Sequence, residues 1–537
     1  MPMNNSPRRR KNTGFALNNQ TLMILVGVLA AVLIVLLVIC GSVLNRPVAN
    51  PESNALNNNS TGALQSTGQA SSSIVTQPSS SVVTQPPTSI ATQPPTTAPK
   101  PPVTPSGGNY ENVGSGYIAE VIQVNVESFD GDTYDDYSHP TNNYLPEGTV
   151  DYCAKELVYG SGLKYVKLRS GHRVYYDKKV YPHASEPYAR MVAEVKQYAG
   201  TLPDHNEIGV VSLETVGRHS VLTLDTMWKA PFYFETNQSG YANPKGGKER
   251  DYAVSSNNAT YVDITFCYAT EFEGSVSIPG DHPLFKSAEV IKNESDHTLR
   301  LHLRKRGSLY GWHAYYNDQD QLCFQFLNPV KVTAAENKYG ADLTGTTIMI
   351  DVGHGGVDGG AVAKDAEGKT WDEAELNLLL ANALKAELES VGATVVMNRY
   401  GDDRIDVNER QRDLLKKSPD ICIAIHQNST SDNTTRRFDC FYYTSWSQLL
   451  AKNIYERTKE SGVYSYLKKD VLQSGTRLRW SANYFMCRQT LCPVVLTENG
   501  YMSNPEDLAA MIDPVKVEIK ATAIAHGVAD YFLAINK

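Results

Sequence analysis

"TTIMIDVGHGGVDGGAVAK", residues 346–364, runs from an apolar stretch into a loop that sets five glycines around one histidine, His354. The apolar run fits a buried strand, and the segments beyond the loop decide the fold class. "EAELNLLLANALKAELESVG", residues 373–392, places Leu376, Leu380, Leu384 and Leu388 on one helical face and stops at Gly392. Then come a strand "TVVMNR" (394–399), a helix near 406–417 and the strands "ICIAIHQN" (421–428) and "CFYYT" (440–444). A helix near 446–461, the strand "PVVLTENG" (493–500) and a last helix over 515–535 complete the series. This alternation predicts an α/β fold over 345–537: a three-layer αβα domain with a mostly parallel sheet.

Three of the strand-like runs finish on a polar residue that an inert sheet does not need: His354, His426 and Glu498. In an open α/β sheet the carboxyl ends of the strands converge on one crevice, so residues far apart in sequence meet there. Glu373 opens the first helix. Two imidazoles and a carboxylate form a catalytic zinc set with a fourth position open for water, and a second carboxylate, Glu498, could then carry the water's proton. Each residue also has a plainer reading. A lone strand-end histidine is more often a polar contact, and Glu373 alone suits a helix N-terminus. Glu498 alone could pair with Arg399 or Arg410, and His526, inside the last helix, reads as structural. A phosphate cradle is the competing reading of the glycine loop. It lacks the Lys-Ser/Thr ending of a P-loop and leaves His426 and Glu498 unexplained.

Taken together, "DVGHGGVDGGA", "EAELNL", "NR" followed by "VNER", "AIHQNS" and "TENGYMSNPED" resemble the zinc-dependent N-acetylmuramoyl-L-alanine amidases of the type 3 family, over about residues 346–535. The resemblance implies zinc ligation by His354, Glu373 and His426 and an acid/base role for Glu498, with cleavage of the amide between N-acetylmuramic acid and L-alanine in peptidoglycan. Asp372 and Glu375 are neighbours that a shifted alignment would choose in place of Glu373. Two departures stand out: Val352 where proline is usual, and Asn398 where Thr or Ser often precedes the arginine.

The remainder of the 537 residues frames this domain. A net charge of −8, with basic residues scattered except at the N-terminus, gives no footprint for nucleic acid. Residues 12–45 carry no charge, and Leu22–Val43 is apolar and long enough to cross a hydrocarbon core of about 30 Å. Arg8, Arg9, Arg10 and Lys11 precede it. The reading is a cytoplasmic tail (1–20), an uncleaved transmembrane helix (21–45) and an outward-facing remainder on a bacterial plasma membrane. A cleaved signal peptide would have a shorter apolar region.

Residues 46–108 are rich in Ser, Thr and Pro and repeat "SSSIVTQP", "SSSVVTQP" and "PTSIATQP", a disordered tether. At about 3 Å per residue, roughly 60 residues reach beyond roughly 100 Å when extended. Alternating runs over 109–340 predict two β-rich modules, 109–215 and 216–340, with a hairpin turning at Ser170-Gly171. Their nine histidines follow no ligand spacing, which suits a binding or spacing role. Seven of the eight cysteines lie outside the span, too few for a dense disulfide framework. Cys487 and Cys492 are near enough in sequence to pair, while Cys422 reads as a buried thiol. Three functions compete: a membrane-tethered zinc amidase acting on peptidoglycan, a non-catalytic wall-binding protein, and a zinc peptidase acting on stem peptides.

Overall fold

The computed structural model describes residues 109–111, 117–128, 143–158, 164–175, 188–192, 201–237, 257–464, 476–480 and 484–536, all within one compact unit, Ala98–Lys537. The tail, the transmembrane helix and the tether expected over 1–108 lie outside the described residues. Among the described residues no helix is long and apolar enough to cross a membrane.

Two β-structures precede the α/β domain. The first is an antiparallel sheet in the order Arg173–Tyr175, Lys164–Leu168, Val150–Val158, Ile118–Val121, Ala189–Val192, with Asn109–Glu111 also on Val150–Val158. The second is a sandwich. Its five-stranded sheet runs Ala269–Glu273, Asn206–Val216, His219–Thr226, Leu322–Leu327, Trp312–Tyr316. Its four-stranded sheet runs Phe232–Thr236, Tyr261–Phe266, His297–Leu303, Phe285–Lys292. Alternation assigns the faces: Leu299, Leu301 and Leu303 point inward, while Arg300 lies on the other face and pairs with Asp263 at 2.8 Å. Aromatic rings lock the two sheets together, Phe234 stacked on Trp312 at 3.9 Å and Phe285 edge-on to Phe326 at 5.0 Å. A module boundary at 215/216 falls inside the strand Asn206–Val216, which forms a hairpin with His219–Thr226. Pairing across that point makes the two strands one unit, so the sandwich begins near residue 206.

In the C-terminal domain we number the strands β1 (Thr347–Val352), β2 (Thr394–Met397), β3 (Ile421–Asn428), β4 (Phe438–Tyr442), β5 (Thr476–Trp480) and β6 (Val494–Tyr501). The helices are α1 (Glu373–Glu389), α2 (Val407–Lys417), α3 (Gln448–Glu460), α4 (Pro505–Ile512) and α5 (Pro514–Ile535). The sheet order is β2-β1-β3-β6-β4-β5, parallel except where β4 runs against β6. Helix starts follow local chemistry. Asp406 and Glu409 form a capping box on α2, and Asn504 and Asp513 cap α4 and α5 ahead of prolines.

One face of the sheet lies under α1, α3 and α5, which bury Leu380, Leu384, Ile454 and Val528 against Ile348, Ile350 and Ile423. The opposite face departs from the expected αβα layering. Among the described residues, α2 covers part of it with helix, and Met349, Cys422 and Val494 share one apolar cluster with Leu414 of α2 and with Leu309 and Trp312 of the sandwich. The backbones meet as well: Trp312 N–H donates to Thr490 O at 2.8 Å, and a Cβ on Gly311 would sit 2.1 Å from Leu491 O. The sandwich thus supplies much of the third layer. All seven described cysteines are free thiols, Cys487 and Cys492 among them.

Candidate metal centre and active site

The first strand–helix crossover and the end of β3 bring three residues together. His354 sits just past β1 at φ +59°, a left-handed conformation that a histidine adopts only when its surroundings enforce it. Those surroundings are visible. Arg410 of α2 donates to the His354 carbonyl at 3.0 Å and to Asp351 at 2.6 Å, while Asp358 meets His354 Nδ1 at 3.0 Å. Glycines are needed because ring and carboxylate occupy the space of a side chain: a Cβ on Gly353 would sit 2.4 Å from the His426 ring, and one on Gly360 2.7 Å from Glu373 Oε2.

Glu373, buried at the start of α1, reaches His354 Nε2 at 3.2 Å through Oε2 and His426 Nδ1 at 3.0 Å through Oε1. Backbone N–H groups of Ala361 and Gln427 donate to the same carboxylate, each at 3.1 Å. Its neighbours Asp372 and Glu375 are exposed, so the helix start presents Glu373 alone to the crevice. His354, Glu373 and His426 each place a ligand atom within 4.8 Å of the others. Burial works against charge on Glu373, yet hydrogen bonds and charge from the two imidazoles hold it below the usual carboxylate range. For His354 burial likewise opposes the proton, and Glu373 and Asp358 outweigh it, raising its pKa.

Glu498 lies beside His426 in the β3–β6 register and beside Asp439 in the β6–β4 register. It is 7% exposed, and its Oε2 has no hydrogen-bond partner among the described residues. Burial, then the charges of Glu373 and Asp439, push it well above the carboxylate range, against an opposing pull from Arg437. Neither arginine considered from sequence pairs with it. Arg399 donates to the carbonyls of Gly353, Ala374 and Gly401, each at 2.8 Å, and Arg410 goes to Asp351 and the His354 loop. His526 packs its ring 5.7 Å from Tyr339, on the helical side of the sheet.

Sequence reasoning missed Asp358, Asp439 and Arg437, and gave Arg410 the wrong partner, Glu498 in place of Asp351 and the His354 carbonyl. Asp358 stood four residues after His354, in view without an assigned contact. The two departures at Val352 and Asn398 turn out to be one feature. Val352 N–H, which a proline lacks, donates to Asn398 Oδ1 at 2.7 Å, and Asn398 Nδ2 donates to Asp351 at 2.8 Å.

A cleft of about 280 Å³ opens over the pair of imidazoles, lined also by Asp406, Val407, Tyr484, Phe485 and Met486. The donor set fits a zinc ion, since two imidazoles and one carboxylate are a catalytic zinc combination. The unpartnered Oε2 of Glu498 beside them fits a proton carrier that does not ligate.

Residues 348–530 match the N-acetylmuramoyl-L-alanine amidase family. The chain is 29% identical over 230 residues to the probable cell wall amidase LytH of Staphylococcus aureus, covering 43% of this chain and 68% of that relative. Among solved structures, the catalytic domain of CwlV, an N-acetylmuramoyl-L-alanine amidase from Bacillus (Paenibacillus) polymyxa var. colistinus, is 26% identical, with 35% of this chain and 99% of that one covered and a TM-score of 0.31. An N-acetylmuramoyl-L-alanine amidase from Clostridium difficile 630 is 27% identical, with 35% and 96% covered and a TM-score of 0.31. The stretch that matches is the one that builds the His–Glu–His cluster, and this C-terminal domain belongs to the type 3 N-acetylmuramoyl-L-alanine amidase family.

Proposed function

We propose that the protein is a membrane-anchored peptidoglycan hydrolase that cleaves the amide between N-acetylmuramic acid and L-alanine with zinc held by His354, Glu373 and His426. The observation that carries the reading is the convergence of those three side chains beside a buried carboxyl, Glu498, whose Oε2 has no partner among the described residues. Bound zinc lowers the pKa of water and polarises a carbonyl. Asp358 fixes the His354 ring through Nδ1 and leaves Nε2 toward Glu373. Glu498, a buried carboxyl next to His426 and outside the His354–Glu373–His426 set, is placed to take the proton of the attacking water. Once protonated it is an acid placed to give that proton to the departing alanine nitrogen. The C–N bond breaks as the new C–O bond forms, leaving a lactyl carboxylate and a free stem peptide.

The uncharged segment 21–45 serves as the anchor, and the Ser/Thr/Pro-rich segment 46–108 gives the enzyme reach into the wall from the outer face of the plasma membrane. The name of the S. aureus relative, a probable cell wall amidase, supports that setting.

The test is mass spectrometry of soluble products after the zinc-loaded full-length chain acts on purified peptidoglycan. Stem peptides beginning at L-alanine are expected, with Glu498→Ala slower by about 10²–10⁴-fold. Cleavage within the stem peptides would replace the reading with a peptidase, and binding without any product would replace it with a wall-binding protein.

A further inference from the structure

One wall of the cleft is held from outside the amidase domain. Tyr484, Phe485 and Met486 face the cleft, and the short turn that carries them, Met486–Arg488, ends on a guanidinium that is 1% exposed. That guanidinium meets a two-stranded ribbon upstream of the amidase domain, Val126–Glu127 paired with Tyr144–Leu145. Arg488 Nε donates to both oxygens of Glu127, at 3.0 and 2.9 Å. Beside it, Tyr144 O–H donates to the Arg488 carbonyl at 2.8 Å. Gln489 is tied in turn: Gln411 of α2 donates to its Oε1 at 2.8 Å and to the Asn125 carbonyl at 3.0 Å. Next to the strand Ala189–Val192 of the first β-sheet, Tyr188 O–H donates to Asn408 Oδ1 at 2.9 Å, so α2, whose Val407 also lines the cleft, is held too.

The contact reaches the cleft by a short path. The Arg488 guanidinium lies 5.7 Å from the centre of the Phe485 ring, and Gln489 Nε2 donates to the Phe485 carbonyl at 3.1 Å. A buried cation that loses its carboxylate must find water or another acceptor, and movement of Arg488 carries Phe485 with it. By contrast, His354 stands just past β1, and Glu373, His426 and Glu498 on α1, β3 and β6; the hydrogen bonds of the first three run to residues of the amidase domain.

We propose that Glu127 and Tyr144 of the upstream two-stranded ribbon are positioning residues for the amidase reaction, holding the Tyr484–Gln489 wall in the shape that binds the muramoyl-peptide. This rests on the function proposed above. The upstream ribbon then forms part of the substrate site and is more than a spacer.

The experiment uses the full-length chain, a soluble muropeptide as substrate, and hydrogen exchange as a readout independent of turnover. In Glu127→Gln, KM rises about tenfold with kcat within about twofold of wild type, the signature of lost binding without lost chemistry. Tyr144→Phe, which removes one hydrogen bond and keeps the fold, raises KM about threefold. In both variants amides 484–490 exchange faster while β3 and β6 stay protected. Adding Arg488→Met to Glu127→Gln removes the stranded charge, so thermal stability recovers while KM stays high; a merely structural role would restore both. KM within about twofold of wild type in both single variants, or unchanged exchange over 484–490, overturns the proposal. A wild-type chain that releases no product would defeat the function proposed above, and the exchange measurement would still decide this one.

Discussion

His172 and His313 upstream and His354 of the amidase domain have opposite fates, and the difference lies in their neighbours. His172 is buried in the first module with Ser128 Oγ at 2.9 Å on Nδ1, the Tyr233 ring stacked on it at 4.0 Å, and no partner for Nε2 among the described residues. Burial pushes it down to about 3. His313 goes down to about 4 for the same reason, helped by the nearby charge of His219. His354 is also mostly buried, yet Glu373 and Asp358 raise it. A buried imidazole with a hydroxyl and an aromatic face is a neutral packing piece, whereas one between carboxylates keeps an affinity for cations, whether proton or metal ion.

The contrast breaks most visibly in acid. The unfolded His172 takes up a proton near its ordinary pKa of 6.5 and the folded one only near 3, so between those values the unfolded chain binds more protons. Stability is therefore full above about pH 6.5 and falls on acidification, by about 1.4 kcal/mol per pH unit for this one group. Chemical denaturation across that range should show the loss, and His172→Phe should flatten it. An unchanged slope would mean that the imidazole is not buried neutral. The next effect sharpens the other side. Asp358→Asn removes the anion behind His354 and should weaken zinc binding about 10–100-fold in a chelator competition, with the fold intact. Undiminished affinity would show that Asp358 does not orient the ring. The smallest effect concerns the loop that carries His354. Val352→Pro strips the N–H that Asn398 accepts, lowering stability by about 1 kcal/mol in thermal melts.

Strand–helix alternation after Thr344 made the amidase sheet legible, because each helix carried a leucine face and each central strand an unbroken apolar run. His354, His426 and Glu498 were legible because they closed such runs. Glu373 was named from the sequence with Asp372 and Glu375 as rivals, and the helix phase separates them, since Glu373 is buried and the other two are exposed. The third layer was illegible. Met349, Cys422 and Val494 announce that a face is buried but not whether a helix or a β-sandwich covers it. The helix α4 was hidden inside a motif, although Asn504-Pro505 is a cap followed by a first-turn proline. The edge strand β5 (Thr476–Trp480) was passed over in a stretch whose arginines interrupt any apolar run. Glu127 and Arg488 are 361 residues apart, and nothing local marks either as the other's partner.

The proposed chemistry rests on a division of labour in which three residues hold the metal and a fourth moves the proton. Its most direct test is the zinc content of the purified full-length chain after equilibration with limiting zinc, in wild type, Glu373→Ala and Glu498→Ala. About one zinc per chain is expected in wild type and in Glu498→Ala, and close to none in Glu373→Ala. Zinc retained in Glu373→Ala, or lost in Glu498→Ala, would contradict the assignment of ligand and base.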